Sequence, residues 1–359
     1  MIDTLMSALR FDHRWLSDQF VEESRRLGEL EKSKEHHYVP QFYLKRWAVG
    51  GLVQPVVVDG SLTLRPQPPK GVAKSTNFYS LPPVGSAMGT PLRWIETHLS
   101  RIEHETAHHM SKLDTHVPGV IADRELKRDL SVFLALQIAR TPNSRELKMC
   151  LISGPVAAKR EFYRRARPNL SDAEFRAMVD RTEADPKREA LNLMFADVRN
   201  VSAGALFRRE WVVFDTTGPV ISCDDPVVLV AGGNFPRRLS AGVALSSVVF
   251  YPLGPNRLLV MFIKPGQSRG EYVLDERETQ SVNLEVVAAA HRMTFERPGD
   301  DLATKFEVPP RNRCELDQEL IGRLDDTAAL QLLLKAATPR CRWDGVENPP
   351  PWPVPRWYS

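Results

Sequence analysis

Cysteine is scarce in this chain of 359 residues: there are 4, at positions 150, 223, 314 and 341, and no CxxC pair. Thiols this scattered read as reduced, buried residues of a cytoplasmic protein, not as a zinc or disulfide framework. No run of apolar residues is long enough for a helical membrane span, so no membrane partner is expected. The opening segment MIDTLMSALRFDHRW meets charge too early to act as a secretory signal. P-loop, GxGxxG and GxSxG patterns are missing, which leaves nucleotide-driven motors, dinucleotide enzymes and serine esterases without support. An excess of one charge is missing too, with 48 Lys and Arg against 45 Asp and Glu and a net charge of +3. Any contact with nucleic acid must therefore be a local patch.

Apolar residues are plentiful, at 42%, and charged residues make up 26%, which suits a sizeable core. Residues 3 to about 32 read as an amphipathic helix, with Leu5, Leu9, Leu16, Phe20, Leu27 and Leu30 at roughly helical intervals. LVQPVVVDGSLTLRP (52–66) predicts a hairpin turning at Asp59-Gly60. From residue 92 to 208 the period is helical. Leu92, Ile95, Leu99, Ile102, Thr106, Met110 and Leu113 form one stripe, and a second helix over about 123–140 must stop before Pro142. Further helices are expected over 144–166, 171–183 and 187–208.

After Arg209 the period becomes that of strands: EWVVFD (210–215), PVIS (219–222), VVFYPL (248–253) and RLLVMFI (257–263). A helix at 276–290 precedes a last strand, RMTFER (292–297). The expected fold class is α+β, a helical bundle inserted between a short N-terminal β-hairpin and a C-terminal, mostly antiparallel sheet. By segments, a helix reaches residue 34 and a core spans 35–297, helical over 92–208 and β-rich over 210–297. A helical segment follows over 298–337, and a Pro-rich tail (338–359) with Trp343, Trp352 and Trp357 is expected to lie across the surface.

Candidate chemistry sits where polar residues interrupt apolar elements. In HHYVPQFYLKRW (36–47), His36 and His37 followed by Pro40 resemble the HHxxP of HNH nucleases, where one imidazole activates water and its neighbour holds a metal. The Asn and further His that such a site needs close by are missing, since the next are Asn77 and His98. In the structural alternative, the histidines cap a helix starting near Pro40, and Tyr38, Phe42, Tyr43, Leu44 and Trp47 enter the core. On the helix over 123–140, Gln137 falls inside the apolar stripe of Leu126, Leu130, Phe133 and Leu134, with Arg140 on its flank. A guanidinium aimed at a core must be paired, and Asp224, ending an apolar strand, is its expected partner.

Together with QIARTP (137–142), SCDDPVVL (222–229), YPLGP (251–255) and SVNLEVVAAAHRMTF (281–295), HHYVPQFYLKRW resembles a large bacterial family. That family is catalogued as a domain of unknown function, number forty-two thirty-eight, and the likeness runs from about residue 35 to 297. Some members look associated with defence against phage, so the resemblance implies a phosphodiester-cleaving nuclease or effector. Where the family prefers Ser-Asp-Asn-Pro, this chain has Cys223-Asp224-Asp225-Pro226, which keeps Asp224 and departs at Asp225. In a catalytic cluster His36 or His37 would be the general acid or base and Asp224 would orient it. Arg140 with Gln137 would hold a phosphate oxygen, and Ser222 and Asn283 would add substrate contacts. The same residues would alternatively be struts of a non-catalytic binding or regulatory module. No metal ligand is assigned to the cluster and no cofactor is identified.

Two weaker motifs complete the inventory. His104-Glu105-Thr106-Ala107-His108 matches the HExxH of zinc peptidases, with Glu125 as a third ligand. On a helical wheel, however, His104 and His108 lie about 140° and 180° from the buried Leu99, facing away from the core. The basic run KREFYRRARPN (159–169), with Phe162 and Tyr163 interleaved, is the candidate nucleic-acid contact.

Overall fold

Residues 9–81, 93–152, 169–233, 235–266, 271–311, 323–337 and 341–358 are described by a computed structural model of the chain. Its first elements are helix α1 (Asp18–Leu27), strand β1 (Glu35–His37), helix α2 (Gln41–Leu44) and strands β2 (Gln54–Val57), β3 (Leu62–Thr63) and β4 (Lys74–Thr76). The bundle follows with α3 (Trp94–Thr115), a short strand β5 (Gly119–Val120), α4 (Arg124–Ala139) and α5 (Pro142–Ile152). It continues through α6 (Asp172–Ala184), α7 (Pro186–Asp197) and, after a π-helical turn at Val198–Ser202, α8 (Ala203–Phe207). The β-rich part comprises β6 (Glu210–Thr216), β7 (Ser222–Cys223), β8 (Val228–Val230), β9 (Val248–Gly254), β10 (Arg257–Phe262) and β11 (Val273–Leu274). Helix α9 (Glu276–Ala289), strand β12 (Met293–Glu296) and helix α10 (Asp326–Ala337) close the order.

Alternation along three strands sets the layers. Trp211, Val213, Val249, Tyr251, Leu259 and Met261 pack into a core shared with the helices. Their neighbours Val212, Phe214, Val248, Phe250, Leu258, Val260 and Phe262 pack into a second core, on the opposite face. The sheet that carries them, in the order β11-β6-β10-β9-β8 with β5 added beside β6, is thus buried on both sides. Its pairings are antiparallel except for β11 on β6. A second sheet, ordered β3-β2-β12-β7, joins the N-terminal hairpin to the end of the β-rich region. The architecture is α+β, with the helical bundle inserted between that hairpin and the C-terminal, mostly antiparallel sheet.

Helix patterning is realised closely in the bundle. Ile95, Leu99, Ile102, Thr106, Met110 and Leu113 are all buried along α3. Helix α4 starts on Asp123, whose side chain accepts from the N–H groups of Glu125 and Leu126, and it ends before Pro142, which opens α5.

Several expectations are revised. The N-terminal helix is not continuous from residue 3 to about 32. Within the described residues α1 covers only Asp18–Leu27, with 3-10 turns at Arg14–Leu16 and Gly28–Leu30. Leu9, Phe11, Trp15 and Leu16 are all buried, a spacing that no single helix face can offer. This segment presses close to α8, where a Cβ on Gly204 would stand 2.0 Å from the Leu9 carbonyl oxygen. The expected strand at 219–222 is reduced to β7, because Pro219 and Ile221 bond to the Asn283 side chain and the Val220 amide to the Pro255 carbonyl instead of to a ladder. Cys150 is disulfide-bonded, so the four thiols are not all reduced and the cytoplasmic inference drawn from them loses its support. The basic run at 159–169 falls almost wholly outside the described residues, as does part of the helical segment expected over 298–337.

The tail does not lie across the surface. Trp357 is fully buried, with its ring 5.9 Å from Phe214, 6.4 Å from Phe250 and 5.9 Å from Phe262. Pro349, Pro350, Pro351, Pro353 and Pro355 keep the approach extended without N–H groups that would need partners. Trp357→Ala is expected to lower unfolding free energy by about 3–5 kcal/mol in chemical denaturation. An unchanged midpoint would mean that the tail covers nothing.

Candidate functional site

The segment HHYVPQFYLKRW folds as β1, a turn and α2, and nearly all of it is inside. His36 is fully buried, its Nε2 donating to the Ser33 carbonyl at 3.1 Å and its Nδ1 accepting from the Tyr79 amide at 2.8 Å. Both ring nitrogens are therefore engaged, and burial pushes the imidazole below its ordinary value. His37 is half-buried, with Nε2 to the Lys70 carbonyl at 3.2 Å and a longer contact of 3.4 Å from Gln41 to Nδ1. The histidines do not cap α2, which begins at Pro40 without a side-chain cap. Tyr43 and Trp47 dock this segment on the β-rich part. The Tyr43 hydroxyl meets Ser222 Oγ at 2.8 Å, and the Trp47 indole donates to the Val220 carbonyl at 2.7 Å.

Asp224 is not the partner of Arg140. Its carboxylate accepts from three successive amides, those of His291 at 2.7 Å, Arg292 at 2.9 Å and Met293 at 3.1 Å, at the start of β12. Burial pushes this carboxyl up to about 6, against the opposing pull of those donors. Asn283 behaves alike: its oxygen accepts from the Ile221 amide at 3.0 Å and its nitrogen donates to the Pro219 carbonyl at 2.9 Å. Gln137 donates to the Tyr38 carbonyl at 2.9 Å. His36, Gln137, Asp224 and Asn283 thus all hold backbone that no β-ladder serves.

Arg140 finds its anion on another helix. It is 2% exposed and donates to Glu103 Oε1 at 2.6 Å and to the Gln137 oxygen at 2.8 Å. Glu103 lies two turns along α3 from Glu96, on the same face. Glu96 accepts from the backbone N–H of His37, and its Oε2 is buried without a partner. Burial, and then the neighbouring Glu103 carboxylate, push the Glu96 carboxyl up to about 8. The structure therefore brings His37, Gln137 and Arg140 into one polar cluster with Glu96 and Glu103. Sequence reasoning missed both acids. Their seven-residue spacing on a helix was the available signal, hidden among the many charges of α3.

A separate cleft of about 400 Å³ lies between the bundle and the sheet. Its polar wall includes Asn143 and Ser144 at the start of α5, Asp225, Asp197, Ser202 and Arg311. Asn143 donates to Asp225 Oδ2 at 3.0 Å, so the residue after QIARTP meets the SCDDP segment at the cleft wall. Desolvation raises the Asp225 carboxyl, and Arg311 opposes it. Asp197 and Ser202 flank the π-helical turn and are joined by a 2.8 Å hydrogen bond, which turns both toward the opening. Apolar walls come from Val227, Leu229, Val243 and Ala289.

The HExxH residues do not converge. His104, His108 and Glu125 are exposed, and Glu105 is engaged by Arg14. Among the described residues no group of three His, Cys, Asp or Glu side chains is placed to hold a metal ion. No described helix is long and apolar enough to cross a membrane.

The pieces in contact here, HHYVPQFYL, QIARTP, SCDDP and the α9–β12 junction, are those of one family pattern. Residues 35–300 match the family described as Protein of unknown function (DUF4238). The chain belongs to that family. No curated protein and no solved structure matches it. The family region runs from β1 to just past β12 and so encloses both the polar cluster and most of the cleft wall, leaving out Arg311, Cys341, Arg342 and Trp352.

Glu96 gives a direct pH test. Its folded carboxyl, at about 8, stands above the ordinary 4.5, so the fold favours the protonated form. That contribution to stability is full below about 4.5 and is lost as pH rises toward 8. Glu96→Gln is therefore expected to flatten the fall in unfolding free energy between pH 5.5 and about 8.5. Denaturant titrations at the two pH values check it, and parallel falls in both proteins would contradict the assignment.

Proposed function

We propose that this protein is a ligand-binding or regulatory module whose site is the cleft between α5 and the sheet, lined in part by segments of the family pattern. One observation carries the reading: Asp225 directs its carboxylate to a cleft wall, while Asp224, beside it, is wholly engaged by backbone amides. An apolar cavity with a few convergent polar groups is where a small ligand gains orientation and desolvation together. His36, Gln137, Asn283 and Ser222 serve this function indirectly, by holding the segments that carry the cleft walls.

A thermal-shift screen with amino acids, nucleotides and sugar phosphates tests the reading. A ligand present at a hundred times its Kd adds about 2.7 kcal/mol to stability, a shift of several degrees in Tm. The shift is expected to vanish in Ala244→Trp, which fills the cleft, and to persist in His37→Ala. Shifts that survive Ala244→Trp would place the ligand elsewhere and overturn the reading.

A second reading is favoured by the cluster of His37, Glu96, Glu103 and Arg140, in which Glu103 pairs with the guanidinium and burial raises the carboxyl of Glu96. Such a set suits acid–base cleavage of a phosphodiester, as a nuclease or effector of phage defence would require. His37 is then the base, its weak 3.4 Å contact with Gln41 being the easiest to release. Nucleic-acid cleavage reduced about 10²–10⁴-fold by His37→Ala, at unchanged Tm, is the expected outcome of this second reading. Intact cleavage in that variant would remove it.

A further inference from the structure

Strands β8 and β9 are direct neighbours, with Val230 opposite Val248, yet their connection runs from 231 to 247. A hairpin needs only about two to five residues there, and longer connections in compact domains are mostly functional. Residues 237 and 239–245 of this connection line the cleft. Its two halves are held differently. The later half is tied to the sheet by the buried Arg209, which donates to the carbonyls of Val243, Ser246 and Met261. Ser246 Oγ adds bonds of 3.1 Å to the carbonyls of Ala241 and Gly242. The earlier half is held by the C-terminal tail. Arg237 donates to the Pro350 carbonyl at 3.0 Å, and its guanidinium stands 5.5 and 4.3 Å from the ring centroids of Trp343 and Trp352. The same guanidinium makes a buried pair with Glu285 of α9. Tyr358 lies against Gly232, where an added Cβ would stand 2.3 Å from the phenol ring.

The tail is fixed at two ends. At one, Arg342 pairs with Asp59 at 2.8 Å and donates to the Ala290 carbonyl at 3.0 Å. At the other, Arg356 pairs with Glu278 at 2.7 Å and Trp357 fills the second core. Between them Trp352 lines the cleft. Among the described residues, the backbone–backbone hydrogen bonds of 341–358 all lie within the tail itself. The middle can therefore lift without breaking a ladder, which makes it a low-stability unit on a stable frame. We propose that residues 343–353 are a strap that fastens the early half of the β8–β9 connection beside the cleft through Arg237, and that lifting the strap widens the cleft. Its purpose rests on the reading of the cleft as a ligand site; the strap itself does not.

Two thiols report the motion without any ligand. Cys341 is free, partly buried and lines the cleft, whereas the free Cys223 is fully buried. The full chain is treated with N-ethylmaleimide and each thiol is followed by peptide mass mapping, so that Cys341 reads the strap and Cys223 reads global unfolding. Arg237→Gln and Trp352→Ala are each expected to speed modification of Cys341 about tenfold or more, with Cys223 unchanged. Trp357→Ala, or Trp357→Phe should the alanine variant unfold, alters an anchor outside the cleft and is expected to speed Cys341 more than Cys223. An increase confined to Arg237→Gln and Trp352→Ala would mean local uncovering of the thiol and would overturn the strap. Rates unchanged in all variants, or rising only in step with Cys223, would overturn it too. Should the thermal-shift screen find no ligand while these rates behave as expected, the cleft reading falls and the strap stands.

Discussion

Inside a protein, a chain that leaves its β-ladder must find other partners for each N–H and C=O. This chain does so repeatedly. The segments beside β1 at 33–34 and 38–40, the approach to β7 at 219–221, and the turn from α9 into β12 at 290–292 are the places where it does. Side chains close each gap: His36 for Ser33 and Tyr79, Gln137 for Tyr38, Asn283 for Pro219 and Ile221, and Asp224 for the amides of 291–293. An unmet buried amide costs about 1–3 kcal/mol, so these few residues together weigh as much as a small core. The helices, the two larger sheets and the cleft take their relative positions from them.

The same constraint separates frame from function. A buried carboxylate that accepts three amides has little capacity left for a ligand, whereas Asp225, next in sequence, accepts from the side chains of Asn143 and Thr141 at the cleft wall. Adjacent residues on an extended chain point to opposite sides, which is how one SCDDP segment both fastens β12 and furnishes a cleft wall. Arg140 shows the other solution to burial. It is matched by Glu103 and Gln137 at the cost of leaving Glu96 nearby without a cation of its own.

Periodicity made the layers legible. The stripe along α3 and the alternation of β6, β9 and β10 are written in residues that bury themselves wherever the rest of the chain goes, and both came out as read. Gln137 and Arg140 were equally visible, because a polar group on an apolar face has to be paired. Its partner was not. Asp224 looked like the counter-ion for Arg140, but the groups that claim it are backbone amides, which every residue possesses and no pattern advertises. Glu96 and Glu103 were obscured for the opposite reason, since α3 is rich in charge and only packing shows which charges turn inward. The first residues and the tail were misjudged because their burial depends on surfaces made by distant strands. A tryptophan among prolines does not disclose that an apolar sheet face awaits it.

The pairing of β12 with β2 imposes an order of assembly. Thr294 lies opposite Val56 and Phe295 opposite Pro55, two segments with the entire bundle between them in sequence. Contacts of such long range close slowly, since the intervening chain must first be confined. During synthesis the hairpin therefore waits with one edge unpaired until β12 has been made. The last strand of the family region then acts as a latch. Until it arrives, Asp224 has no amides to hold, and neither wall of the cleft has its final place.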